Sequence, residues 1–389
     1  MKPRVEIFSQ GDEVVSGQIV DSNAAWLASH LNDMGFQVIR HSAVGDDLAH
    51  LQALLLEIAE RADCCVCTGG LGPTVDDLTA EAVSIAFQKP LVLDEAALSQ
   101  IRAYFNQRQR EMAASNIKQA LLPEGSVRLD NHWGTAPGFA IQFKQCWFYF
   151  MPGVPAEMKQ MFKYGIQPRL RDDFIKIVPD TLIILRLLGL GESDIQQKLS
   201  GLTLPDKVRL GFRTTTDDIE VKLLFPAAFH ASERRKVVND LAACLRDSVY
   251  CIETGDKYTS LQAMIAESLQ QKNLQLTLIE SISCGAISAR FAGYPCLRQA
   301  QIYPDLDSVR ANKSMKEVAR ELAEPMLALA DNILCLVQLY SDENQQLLSY
   351  LKGPLGERYH ERFLTGTSGQ KQQRATVVAL DLIRTYLKK

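Results

Sequence analysis

The sequence predicts an α/β protein whose first part is a three-layer sandwich on a parallel sheet. Three observations predict it. Short apolar runs alternate with helical patterns from the start of the chain. The run Cys64 to Cys67 is apolar without alternation, as in a strand covered on both faces. Strands followed by helices at this spacing imply right-handed crossovers and helices on both faces of one sheet.

The elements follow in order. Val5 to Ser9 is the first strand. Asp21-Ser22-Asn23 offers caps for a helix through Met34, ended by Gly35. Phe36 to Arg40 is the second strand. Asp46 or Asp47 caps a helix in which Leu48, Leu51, Leu54, Leu55 and Ile58 form one apolar stripe. Asp63 to Thr68 is the third strand. Phe139 to Phe143 and Cys146 to Met151 are two more, and Pro152 to Met158 turns into a helix start.

Ligands in such sheets bind beyond the carboxyl ends of the strands. There the chain places Gly11-Asp12-Glu13, Gly45-Asp46-Asp47 and the run Thr68-Gly69-Gly70-Leu71-Gly72-Pro73-Thr74-Val75-Asp76-Asp77-Leu78-Thr79. A strand, a glycine turn and a helix start form a backbone phosphate cradle, and the two aspartates suggest a cation facing the phosphate. Thr74 and Asp77 have capping-box spacing. The plain alternative is a tight turn with Asp76 and Asp77 as first-turn acids. Neither Gly-x-x-x-x-Gly-Lys-[Ser/Thr] nor Gly-x-Gly-x-x-Gly occurs, which weighs against kinase and NAD-dehydrogenase readings.

Composition bounds the rest. The 389 residues are 47% apolar and 23% charged with net charge −4, as in soluble proteins, and argue against nonspecific nucleic-acid or anionic-membrane binding. No run reaches the roughly 18 apolar residues of a membrane span, and no signal-peptide core precedes the first strand, so the expected location is the cytoplasm. The nine cysteines include no Cys-x-x-Cys pair and read as reduced, mostly buried thiols. Cys65 and Cys67 alternate on a strand and so share a face.

Gly11 to Gly17, Asp21-Ser22-Asn23, Thr68 to Thr79, Ser115 to Ala120 with Pro123, Gly134-Thr135-Ala136-Pro137-Gly138 and Pro152 to Met158 stand in order. Together they resemble the N-terminal domain of the CinA family of competence-damage-inducible proteins. The resemblance covers residues 1–170. It implies a molybdopterin-binding-like fold and metal-dependent hydrolysis of ADP-ribose or a related nucleotide at its pyrophosphate. It further implies a divalent cation (magnesium, manganese or cobalt, with potassium as a further ion) and a homodimer. Asp46, Asp77 and Glu157 are the implied catalytic residues. Asp12, Asp76 and Asp77 are the implied cation ligands, with Glu13 a further acid. Asn23, Gly69, Gly70, Gly72, Thr74, Thr135 and Gly153 would hold the nucleotide, the three loop glycines through their amides. Each acid singly also reads as a solvated or helix-capping carboxylate.

Residues 171–255 read as a small α+β module. Leu182 to Leu188, Val208 to Arg213, Ile219 to Phe225 and Ser248 to Ile252 are its strands, and Ala231 to Leu245 is a helix. Gly189-Leu190-Gly191-Glu192-Ser193 resembles the matching CinA segment and reads foremost as turn glycines.

Residues 256–389 resemble the family's C-terminal amidase domain, which acts on nicotinamide mononucleotide, with departures. The family's Glu-Ser-Cys-Thr-Gly-Gly stands here as Glu280-Ser281-Ile282-Ser283-Cys284-Gly285. Ser281 takes the nucleophile's place, and Ser281, Ser283 and Tyr303 mark a degenerate site. Pro304 interrupts the following strand, Ser308 stands at the lysine position, and Leu336 to Asp342 replaces a glycine loop. A serine without a nearby base is a weak nucleophile. The reading is a retained fold that has lost amidase chemistry. Residual activity through Ser281, or substitution by Cys284, is the lesser alternative. For the whole chain, the reading from another class is a noncatalytic nucleotide- or pterin-binding sensor. A molybdopterin adenylyltransferase rests on fold kinship alone.

Overall fold

The computed structural model describes residues 2–174, 177–255, 259–303 and 313–388. They fall into two compact units, Met1–Asp180 and Thr181–Lys389. Among the described residues no helix is long and apolar enough to cross a membrane.

In the first unit β1 (Arg4–Gln10), β2 (Gln37–Val44) and β3 (Cys64–Thr68) alternate with helices Ser22–Asp33 and Leu48–Arg61. Two short strands, β4 (Leu91–Leu93) and β5 (Leu121–Pro123), pair apart from the main sheet. Then come β6 (Val127–Leu129), β7 (Gly138–Phe143) and β8 (Cys146–Met151). The main sheet has the order β2-β1-β3-β8-β7-β6. Strands β2, β1, β3 and β8 are parallel, as expected, but β7 and β6 run antiparallel. The two-residue connection Lys144–Gln145 leaves β7 no room for a crossover, so it folds back on β8 as a hairpin.

Strand alternation builds the two core layers. Phe8, Cys65, Cys67, Phe148 and Phe150 face Leu51, Leu55, Ile58 and Val83. Val5, Ile7, Cys64, Val66, Tyr149 and Met151 face Leu27, Leu31, Met158 and Phe162. The Cys65 and Cys67 sulfurs lie 3.5 Å apart, on one face as the alternation requires. Burial pushes both thiols up and leaves them unreactive. All nine cysteines are free, and Cys284 is the one that is exposed.

The order of the strands positions the site. Strand β1 lies between β2 and β3, so successive crossovers leave it in opposite directions. The crevice beyond the carboxyl ends of β1 and β3 is therefore the topological switch point of the sheet.

The second unit carries two sheets. The first joins β9 (Thr181–Leu187), β10 (Arg209–Thr214), β11 (Ile219–Phe225) and β12 (Val249–Thr254), antiparallel throughout in the order β10-β11-β9-β12. One of its faces packs Leu185, Leu187, Val221, Leu223 and Phe225 against Ile195 and Leu241 of its helices. Opposite, the buried Arg186 guanidinium bonds Glu253 at 2.7 Å, Asp218 at 3.0 Å and Glu220 at 3.1 Å. Tyr250 donates to Asp218, and Arg213 reaches Glu220 from the rim.

The other sheet joins β13 (Gln275–Glu280), β14 (Leu297–Ile302), β15 (Ile333–Ser341), β16 (Gln346–Gly353) and β17 (Gly356–Phe363) in the order β14-β13-β15-β16-β17. Helices Leu261–Gln271, Met315–Leu327 and Ser368–Leu387 accompany this sheet. The hairpin β16–β17 is an addition to the sequence reading. Leu336 to Ser341, expected to replace a loop, is buried strand backbone paired to β16. Glu357, Arg358, Glu361 and Arg362 charge the outer strand β17, a common protection of a sheet edge.

Candidate functional site

A cavity of about 440 Å3 opens at the switch point of the first sheet. It is lined by Gln10, Gly11 and Glu13 after β1, Asp46 after β2, and Gly69 to Pro73 with Asp76 and Asp77 after β3. Thr135, Ala136, Gly153 and Glu157 close the other side. Five carboxylates (Glu13, Asp46, Asp76, Asp77 and Glu157) stand in this lining with no lysine or arginine among them. Of the residues expected here, Asp46, Asp76, Asp77, Glu157, Gly69, Gly70, Gly72, Thr135 and Gly153 come together. Asp12, Asn23 and Thr74 stand behind them.

Each of these three supports a neighbour. The Asp12 carboxylate accepts the Asp46 amide at 3.1 Å, and Asp46 accepts the Asp12 amide in return at 3.3 Å. The Asn23 side chain donates to the Gly153 carbonyl at 2.7 Å. Thr74 donates to Asp77 from its amide at 2.8 Å and from its hydroxyl at 2.5 Å. Contact with Thr74 also holds the Asp76 carboxyl below the usual carboxylate range.

Two details of the glycine run depart from expectation. Helix Thr79–Phe87 begins only after Leu78, so Asp76 and Asp77 are loop residues and not first-turn acids. The Thr79 hydroxyl ties the helix start back to the Gly69 carbonyl at 3.0 Å, and the Thr74–Asp77 bonds close a separate turn ahead of it. The Gly69 amide is also unavailable to a phosphate. It donates to the Met151 carbonyl at 3.0 Å, stitching the end of β3 to β8. The amides of Gly70 and Gly72 have no such acceptor among the described residues.

Gly70 has φ +65°, and a Cβ there would stand 2.1 Å from the Gln10 amide oxygen and 2.3 Å from the Thr79 hydroxyl. Gly70→Ala should therefore lower stability by roughly 2–4 kcal/mol, from the left-handed backbone and the overpacking together. Urea unfolding of the variant beside the parent measures this.

Gln10 and Asn131 were not singled out from the sequence, and Asn116 and Gln119 stood only within the run Ser115 to Ala120, without a role. Gln10 donates to Asp46 at 2.8 Å and to the Asp76 carbonyl at 3.3 Å, and accepts from Thr79, bridging three loops. Gln119, oriented by Asn116, donates to the Thr135 hydroxyl at 3.2 Å. Asn131 donates to Glu157 at 2.7 Å and accepts the amides of Trp133 and Gly134, both at 3.0 Å. The usable signal was a lone amide side chain at the end of an apolar strand, as at Gln10 after Phe8 and at Asn131 after Leu129. Among the described residues no three of His, Cys, Asp and Glu already converge to hold a metal ion.

The run after β13 has a different character. Glu280 is fully buried and accepts the Ser283 hydroxyl at 2.8 Å and the amides of Gly285, Ile287 and Ser288 at 3.1, 3.1 and 2.8 Å. It anchors the start of helix Ala286–Phe291. The Ser281 hydroxyl is buried with no hydrogen-bond partner among the described residues. Tyr303 donates to Gln301 at 3.1 Å. Cys284 sits at φ +48°, its thiol toward the Ser281 carbonyl at 3.3 Å. Ile282 packs into the core formed by Tyr340, Leu347, Leu364 and Ala375. Pro304 and Ser308 lie outside the described residues.

Residues 6–172 match the family described as a probable molybdopterin binding domain. The chain is 36% identical to a CinA-like protein of Escherichia coli strain SMS-3-5, over 99% of this chain and 94% of that one. It is equally similar, with the same coverage, to the NMN amidohydrolase-like protein YfaY of Escherichia coli K12. Among solved structures, the protein CinA of Thermoplasma acidophilum is 30% identical, with a TM-score of 0.40, covering 44% of this chain and 98% of that one.

Proposed function

This chain belongs to the CinA-like proteins, and from that premise we propose that its first unit hydrolyses the diphosphate bond of ADP-ribose or a related nucleotide. The observation that carries the reading is the cavity at the switch point, lined by five carboxylates and by Gly70 and Gly72. A diphosphate placed there alone would meet like charge from every acid. A hard divalent cation answers this, since it takes one or two carboxylates, water and substrate phosphate as ligands. The donor chemistry of the cavity, all oxygen, fits such an ion. No three acids converge here among the described residues, so Asp77 with one of Asp46 and Asp76 would hold it, phosphate and water completing the shell, and when bound it would neutralise phosphate oxygens and lower the pKa of a ligated water.

The chain's own residues do the rest. Gln10 orients Asp46, and Thr74 orients Asp77. The amides of Gly70 and Gly72, without a backbone acceptor among the described residues, would donate to the phosphate oxygens. Glu157, steadied by Asn131, would accept a proton from the attacking water. The water oxygen bonds to one phosphorus, the bond from that phosphorus to the bridging oxygen breaks, and the bridging oxygen leaves on the other phosphate. AMP and ribose 5-phosphate are the products. Incubation with ADP-ribose and magnesium, manganese or cobalt, with and without potassium, should release AMP. No turnover with any of them would sink the enzyme reading.

The second unit, on this reading, has no amidase activity. Among the described residues Ser281 has no base in hydrogen-bond reach, and Tyr303 donates to Gln301 instead. Ser281→Ala should leave every measured activity unchanged. Ammonia release from nicotinamide mononucleotide by the parent, lost in this variant, would refute that. The unpartnered Ser281 also favours the second reading for the chain, a noncatalytic nucleotide sensor. Tight ADP-ribose binding without product would decide for it.

A further inference from the structure

Beside the acidic cavity stands an aromatic pair that the proposed hydrolysis does not use. The rings of Trp133 and Tyr164 stack with centroids 5.9 Å apart and planes inclined by 22°. Both are open to solvent, Trp133 to 38% and Tyr164 to 61%. His132 adds an edge contact to Trp133 at 5.8 Å. Single exposed rings are ordinary, but rings that stack on each other beside a polar cavity make a contiguous apolar surface of the kind that ligands cover.

The pair is fixed relative to the cavity. Trp133 is two residues before Thr135, which lines the cavity, so at most about 7 Å of chain separates them. Asn131, 1% exposed, holds the Trp133 amide with one end of its side chain and the Glu157 carboxylate with the other. Gly134 lies so close to Glu157 that a Cβ would stand 1.9 Å from its carboxylate. Tyr164 sits in a π-helical turn, Phe162–Ile166, that continues the helix bearing Glu157. Such turns recur at functional sites, where the wider coil redirects a side chain.

We propose that the Trp133–Tyr164 pair is the stacking platform for the base of the nucleotide whose diphosphate occupies the acidic cavity. The proposal rests on the hydrolase reading of that cavity and adds the element that selects a nucleoside diphosphate over a plain sugar phosphate. The cavity lining offers polar groups to phosphate and sugar, while the pair offers the planar apolar surface that a base requires. Stacking accepts any base, so the platform selects for the presence of one and not for its identity.

The test reads stacking directly. Tryptophan emission of the full chain is followed with magnesium present as AMP, ADP-ribose or ribose 5-phosphate is added. AMP and ADP-ribose should quench it and ribose 5-phosphate should not. Trp133→Leu should abolish the quenching and weaken AMP and ADP-ribose binding roughly ten-fold by calorimetry, the order of one lost stack, with ribose 5-phosphate unaffected. Trp133→Phe keeps a ring and should bind within about two-fold of the parent, which separates stacking from misfolding. Unchanged ADP-ribose affinity in Trp133→Leu would overturn the platform while AMP release by the parent keeps the hydrolase reading standing. A parent that neither binds nor hydrolyses ADP-ribose would overturn both.

Discussion

Asp77→Ala should lower ADP-ribose turnover by at least about 100-fold while leaving the fold of the first unit in place. The loss corresponds to the several kcal/mol that charge stabilisation by a bound cation supplies in a transition state. Asp77 lies in a loop ahead of helix Thr79–Phe87, so its removal takes no cap from that helix. It does take the acceptor for the Thr74 amide and hydroxyl. Asp77→Asn separates the two roles, since its amide oxygen still accepts from Thr74 but carries no charge. Activity lost in both variants assigns the effect to charge. Activity kept in Asp77→Asn and lost in Asp77→Ala would make Asp77 a loop-closing residue. Near-normal turnover in Asp77→Ala would remove it from the site altogether.

Arg186→Met should destabilise the second unit by about 3–5 kcal/mol at neutral pH, because it leaves three buried carboxylates without their shared cation. Burial alone would push the Asp218 and Glu220 carboxyls up. Thr215, Tyr250 and Arg186 nevertheless hold Asp218 below its ordinary 3.8, and Arg213 and Lys222 hold Glu220 below its ordinary 4.5. A carboxyl lowered by folding contributes stability in full above its unfolded pKa. For these two that contribution is complete above about pH 4.5 and is lost as pH falls through the lowered folded values. The variant should show the opposite sign. Glu220 keeps Arg213 and Lys222, but Asp218 is left buried without its cation and its folded value rises, so acidification from pH 8 toward pH 5 should recover stability. Thermal melting of both proteins across that range checks the crossing trends, and parallel pH profiles would rule the account out.

What could be read from the chain alone divides along physical lines. The first sheet was legible because Cys64 to Cys67 and Cys146 to Met151 are short apolar runs with turn residues at both ends. The antiparallel direction of β7 was not, since it depends on how few residues join it to β8. The hairpin β16–β17 was obscured because β17 carries charges on both faces at a sheet edge and shows no alternation. In the site, the glycine run and its acids stood out as a motif. The roles of Gln10, Gln119 and Asn131 did not, because an amide side chain advertises its role only through partners brought in by folding, from 36 residues away for Gln10 and Asp46. The same dependence hid the spent Gly69 amide, whose acceptor Met151 belongs to a strand that follows much later in the chain.

That Gly69–Met151 bond has a further consequence. With Asn23 holding Gly153 and Gln119 holding Thr135, it makes the cavity wall a woven piece, in which each loop is fastened by a residue from another stretch of chain. Such a wall is not modular. The Thr68 to Thr79 segment transplanted into another parallel sheet would carry its glycines and aspartates but none of the fastenings that give them direction. An engineer seeking to move this chemistry would have to carry four separate stretches together, at Gln10, Asn23, Gln119 to Thr135 and Met151 to Glu157.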